Sequence, residues 1–148
     1  MQWQQRGART SVAERPPRRI RVLIADDNPL VLEQVAASVG LECDVVALAT
    51  NGREAVELAL ARAPEVVVLD ISMPIMSGLR AAERLRQAGC CVPVVFLTVH
   101  EDEDFLRAAL AVSAAGYVLK SRMTTDLPRA IAAAVEGRSL ISPPMAQW

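Results

Sequence analysis

The sequence predicts an α/β sandwich, doubly wound around a parallel sheet, on three observations. Apolar runs and helical patterns alternate five times along the chain. Most of the runs are apolar without a period-two break, as strands covered on both faces are. Between them lie patterns long enough to be the covering helices, which is how parallel strands are joined. With 148 residues, 52% hydrophobic and 22% charged, the chain can build one domain with a real core.

The first strand is Ile20–Ala25, closed by Asp26, Asp27 and Asn28. Asn28 suits an N-cap and Pro29 a first helical turn, and Leu30, Val31, Val35 and Val39 then recur at helical spacing up to Gly40. Asp44–Ala49 is a second, less apolar strand. Asn51 and Glu54 follow at capping-box spacing, and Pro64 stops the helix they open. Val66–Leu69 is the most apolar strand and ends at Asp70. A loop with Met73, Pro74 and Gly78 leads to a helix over Leu79–Ala88, stopped by Gly89. Strand four is Pro93–Leu97, helix four Asp102–Ser113, strand five Gly116–Leu119 and the last helix Leu127–Val135, stopped by Gly137. Residues 1–19 read as a basic leader, 20–137 as the folded domain and 138–148 as a tail or the start of a linker.

Composition excludes several functions. No stretch approaches the roughly 18 apolar residues of a membrane helix, and the polar, arginine-rich N-terminus has no signal core. The expectation is a cytoplasmic protein without membrane contact. Cys43, Cys90 and Cys91 cannot all pair, and with a single histidine they give no zinc spacing, so they read as reduced thiols. Residues 1–21 hold six arginines against Glu14, leaving the remainder acidic. A basic arm can touch nucleic acid, but the folded part has no basic stripe of the kind DNA binding needs.

The chemistry lies at the strand ends. Asp26 and Asp27 follow strand one, Asp70 strand three, Thr98 strand four and Lys120 strand five. In a parallel sheet these carboxyl ends share one edge, where α/β sheets place their ligands. Carboxylates gathered in one cleft repel unless a cation sits among them, and hard oxygen ligands specify Mg²⁺ over zinc or iron. Lys120 adds a positive charge and Thr98 a hydroxyl for an anionic oxygen. The set suits phosphoryl transfer, with Asp70 as nucleophile and Asp26 and Asp27 holding the metal.

The segments IRVLIADDNPLV, VVVLDISMPIMSG, VVFLTVH and AAGYVLKS, in this order and spacing, resemble the receiver domain of bacterial two-component response regulators over about residues 19–137. The resemblance implies a flavodoxin-like (βα)5 sandwich with strand order 2-1-3-4-5. It implies that Asp70 accepts a phosphoryl group from a sensor histidine kinase, and that Mg²⁺ is held by Asp27, Asp70 and the Ser72 carbonyl, with Asp26 acting through water. Lys120 would pair with the phosphoryl group, Thr98 move toward it and Tyr117 turn inward behind the threonine. That movement would remodel the face of helix 4, strand 5 and helix 5, the expected homodimer surface. Ser72 and His100 match positions that tune self-dephosphorylation.

Two positions depart from the family pattern. Val99 replaces the common alanine after the threonine, and Ser121 follows Lys120 where many members have a cis-proline. The latter, with the ending AVEGRSLISP, resembles the LuxR/NarL-like subgroup, so a DNA-reading domain regulating transcription is expected beyond Trp148, the alternative being a stand-alone receiver. Competing readings are an aspartyl-nucleophile phosphatase, which would want an acid–base aspartate where Ser72 stands, and a binding module indifferent to phosphorylation. Flavin-type cofactor binding is disfavoured, because the acidic first loop would repel phosphate.

Overall fold

The computed structural model describes residues 18–39 and 42–143. Most of the basic leader, Gly40 and residues 144–148 lie outside the described residues. Six strands form one parallel sheet: β1 (Ile20–Ala25), β2 (Cys43–Ala49), β3 (Val66–Leu69), β4 (Val94–Thr98), β5 (Gly116–Leu119) and β6 (Leu140–Ile141), in the order β2-β1-β3-β4-β5-β6. Five helices alternate with them: α1 (Pro29–Ser38), α2 (Gly52–Arg62), α3 (Gly78–Gln87), α4 (Glu103–Ala111) and α5 (Met123–Val135). The first five strands and their order are those expected. β6, within the residues expected to be tail, is the addition. No helix among the described residues is long and apolar enough to cross a membrane.

Burial explains why the strands read as unbroken apolar runs. On one face, Leu23, Val67, Leu69, Phe96 and Tyr117 pack with Ala55, Ala59, Ala81, Leu85 and Leu106 of α2, α3 and α4. On the other, Val22, Ile24, Val68, Val95 and Val118 pack with Leu32 and Val35 of α1 and with Leu127, Ala130 and Ile131 of α5. Successive strand residues thus face opposite cores, and each fully buried Leu, Ile or Phe contributes about 1.5–3 kcal/mol. β2 lies at the sheet edge and is only partly covered, with Leu48 exposed, which accounts for its weaker apolar signal.

The helix starts follow local chemistry. The Asn28 side chain accepts from the Leu30 N–H at 2.9 Å, with Pro29 in the first turn. Asn51 accepts from the Glu54 N–H at 2.8 Å, while the Glu54 carboxylate reaches back one residue further than expected, to the Thr50 N–H at 2.7 Å. α5 begins a full turn before the expected Leu127, continuing from a 3₁₀ turn over Lys120–Arg122 and carrying Pro128 inside. Gly137 ends that helix with φ +79°, a backbone region costly for other residues.

Candidate functional site

Strand order reverses between β1 and β3, one helix chain going to each face, and a crevice opens outside the carboxyl ends at such a point. Ala25 and Leu69 are partners in register. The residues that follow them, Asp26 and Asp70, are therefore neighbours. Backbone bonds carry the alignment past the strand ends: the Asp26 N–H donates to the Ala49 carbonyl and the Asp70 N–H to the Ala25 carbonyl, both at 3.0 Å. The loop after Asp70 then folds under it, with the Gly78 N–H donating to the Ile71 carbonyl at 2.8 Å. Gly78 passes so close that a Cβ there would lie 2.0 Å from the Asp70 carbonyl oxygen, so the position accepts only glycine.

Asp26, Asp27 and Asp70 each offer a carboxylate oxygen, and the three atoms lie within 4.8 Å of one another. Asp26 and Asp70 are buried and Asp27 is exposed. From the far end of the chain, Lys120 Nζ donates to Asp26 Oδ2 at 2.8 Å and stands 3.4 Å from Asp70 Oδ2. Burial pushes the Asp70 carboxyl up to about 6. The Lys120 ammonium opposes that rise and the Asp26 charge adds to it. Burial works against the Lys120 ammonium, but its hydrogen bond to Asp26 and the charges of both aspartates outweigh it and raise its pKa. Three carboxylates around one ammonium leave negative charge in excess. A hard divalent cation fits this cluster of carboxylates.

A second group of expected residues meets around His100. Its backbone N–H donates to the fully buried Thr98 Oγ1 at 3.1 Å, and its carbonyl accepts from the Tyr117 hydroxyl at 2.8 Å. Its ring nitrogen Nε2 lies 2.9 Å from Ser72 Oγ, the tautomer deciding which group donates, and the ring stacks on Phe105 with centroids 4.0 Å apart. Tyr117 thus stands inward, its phenol buried and its pKa pushed up to about 12 by desolvation and the nearby Asp102 charge. Val99, the bulky departure from the family pattern, projects outward at 67% exposure and does not fill the crevice. Ile75 is exposed as well and holds φ +70°, a strained conformation for a β-branched residue, in the loop after Asp70.

The sequence did not reveal one buried polar cluster. The Ser142 hydroxyl donates to Asp126 Oδ2 at 2.6 Å and accepts from the Leu119 N–H at 3.2 Å. Arg122 Nε donates to the same Asp126 oxygen at 2.7 Å. Arg122 and Asp126 stand at i, i+4 spacing in the sequence, but Ser142 lies 16 residues from Asp126 and 23 from Leu119, so only the fold brings the serine to them.

Residues 22–132 match the family described as response regulator receiver domain. An uncharacterised transcriptional regulatory protein of Bacillus subtilis, YvfU, is 37% identical over 126 residues, which are 84% of this chain and 63% of that protein. The signal receiver domain of the putative response regulator NarL from Mycobacterium tuberculosis superposes with a TM-score of 0.78 at 33% identity, covering 82% of this chain and 100% of that one. A LuxR-family two-component response regulator from Aurantimonas sp. gives 0.83 at 32% identity, covering 87% and 94%. The chain spans about three fifths of the length of the curated relatives it matches. Its sheet order, its acidic crevice and these likenesses agree: the chain belongs to the response regulator receiver domains, of the LuxR/NarL type.

Proposed function

We propose that this receiver takes a phosphoryl group onto Asp70 from the phosphohistidine of a sensor histidine kinase, with Mg²⁺ held by Asp27, Asp70 and the Ser72 carbonyl and with Asp26 behind a water. The observation that carries the reading is the buried Asp70 carboxylate sharing a crevice with two further carboxylates and one lysine. Mg²⁺, when bound, neutralises the carboxylates and draws the phosphoryl oxygens toward them.

The chain's own groups supply the rest. Asp70 Oδ attacks phosphorus in line with the P–N bond; a P–O bond forms as P–N breaks, and that electron pair returns to the kinase imidazole. Lys120 exchanges part of its contact with Asp26 and Asp70 for a phosphoryl oxygen. Thr98 gives its hydroxyl to another, loosening the Thr98–His100–Tyr117 linkage and so changing how Tyr117 of β5 packs against α4, which remodels the face of α4, β5 and α5. That face would then pair with a second copy, and a DNA-binding domain following residue 148 would turn pairing into transcriptional control in the cytoplasm. Ser72 and His100, in contact beside the crevice, set how readily water reaches the acyl phosphate and so the rate of self-dephosphorylation. The turnover is that of a switch, one phosphoryl group per chain, rather than that of a metabolic enzyme.

Intact-mass measurement after treatment with a small phosphoryl donor and Mg²⁺ tests this directly. The native chain gains one phosphate, and D70N or omission of the metal abolishes the gain. Equal labelling of D70N would remove Asp70 from the role.

A further inference from the structure

Lys120 opens a 3₁₀ turn, Lys120–Arg122, that has neither proline nor glycine to fix its backbone. The turn is tied at both ends to one buried carboxylate. Before it, the Leu119 N–H donates to Ser142 Oγ, whose own proton goes to Asp126 Oδ2. At its end, Arg122 donates to Asp126 through Nε at 2.7 Å, with Nη2 3.4 Å from the second oxygen. Ser142 is fully buried and Asp126 is 2% exposed. β6 delivers the serine: it pairs in parallel with β5, Tyr117 opposite Ile141, and the Ser142 N–H donates to the Tyr117 carbonyl at 2.8 Å.

An arrangement of this kind is poor at stabilising a fold for its own sake, because apolar residues of similar volume do so about as well. What it does supply is direction. Ser142 and Arg122 both donate to the Asp126 carboxylate, and the Leu119 N–H is tied to it through Ser142, which together fix the end of β5 where Lys120 leaves the sheet.

We propose that Asp126, Ser142 and Arg122 are positioning residues for Lys120, and that the strand after α5 is thereby a working part of the phosphorylation site. The proposal rests on the reading of Asp70 as phosphoacceptor and Lys120 as its phosphoryl contact. With the brace intact, the ammonium is already aimed at the Asp26–Asp70 pair when the donor arrives, so little ordering is left for the reacting complex. With it cut, Lys120 samples other directions and its contribution to transfer is lost.

The test is the rate of Asp70 labelling by a small phosphoryl donor with Mg²⁺, read by intact mass on the full chain. It compares native, S142A, D126N, K120A, S142A/K120A and D126N/K120A, with D70N as control. S142A and D126N should each slow labelling by about tenfold with Lys120 present, the size expected for a lost hydrogen bond that orients a charge. In the K120A background, followed over longer incubation, the same substitutions should change the rate by less than about twofold, since a brace acting through Lys120 has nothing left to position. S142T, which keeps the hydroxyl, should restore the native rate. Equal slowing in both backgrounds would make the cluster merely structural, and no slowing in either would deprive it of a role; either result overturns the proposal. Should S142A fail to fold, D126N, which keeps the shape of aspartate, carries the same comparison. Absence of labelling in the native chain, by contrast, would overturn the phosphoacceptor reading itself and this inference with it.

Discussion

Asp70 is held in a place that disfavours its charge: it is 6% exposed and faces Asp26, and the Lys120 ammonium and the Ile71 N–H compensate only in part. Its carboxyl titrates near 6 in the folded chain, above the ordinary value of 3.8, chiefly through burial. A raised carboxyl pKa means that the folded state binds protons more readily than the unfolded state, so ionised Asp70 costs stability above about pH 6 and not below the ordinary value. D70N should therefore melt about 3–6 °C above the native chain at pH 7.5 in chelator, with the gap closing toward pH 4. A native chain as stable as D70N across that range would mean the carboxylate is well solvated. Asp126 behaves in the opposite sense. Burial alone would raise its pKa, but the Arg122 and Ser142 hydrogen bonds overcome that and hold it below the usual value. The stability it contributes is present above the ordinary carboxylate range and is lost as pH falls through the folded value. Denaturation of D126N against native should show a constant deficit from pH 7 to about pH 5 and a shrinking one below about pH 4. A deficit that does not depend on pH would assign the loss to packing.

At the scale of elements, the loop from Ile71 to Ser77 and the start of α3 set where Asp70 points. G78A would drive a Cβ into the Asp70 carbonyl, and since both partners are backbone neither can move aside. The expected result is a loss of about 3 kcal/mol in denaturant unfolding together with slowed Asp70 labelling; a fully labelled, fully stable G78A would show that the loop can open freely. The five central strand–helix units and the aspartates at their ends were legible in the sequence because two-sided burial writes an unbroken apolar run, and the residue ending such a run must lie at the sheet edge. β6 was not legible. Leu140–Ile141 is too short to carry periodicity, and it becomes a strand only because β5 would otherwise expose its far edge. The start of α5 was misplaced as well: the helix continues directly from the Lys120–Arg122 turn, four residues before Leu127, and carries Pro128 inside. His100 was singled out for its ring, yet its backbone makes two of the three contacts that join Thr98, Tyr117 and Ser72, and backbone contacts leave no trace in residue type.

For the whole molecule, the decisive fact is that the site belongs to no single element. Asp26 and Asp27 come from the end of β1, Asp70 from β3 and Lys120 from β5, so the crevice exists only when the sheet is assembled. A cation bound there binds the folded chain and has no comparable site on the unfolded one, which makes metal affinity a measure of assembly. At a Mg²⁺ concentration one hundred times its dissociation constant, the folded state should gain about 2.7 kcal/mol, or about 8 °C in melting temperature. The gain should grow with the logarithm of Mg²⁺ concentration and be small with a monovalent salt of equal ionic strength, because generic screening acts mainly between exposed charges. Asp27 separates the two sources cleanly: exposed and outside the Lys120 pairing, it can be changed to asparagine with little effect on the metal-free fold. D27N should keep the native melting temperature in chelator and lose most of the Mg²⁺ increment, and D70N should lose the increment while starting higher. An increment of native size in both variants would mean that the ion binds elsewhere, and that the convergence of three carboxylates is a by-product of the fold rather than the reason these residues stand at its strand ends.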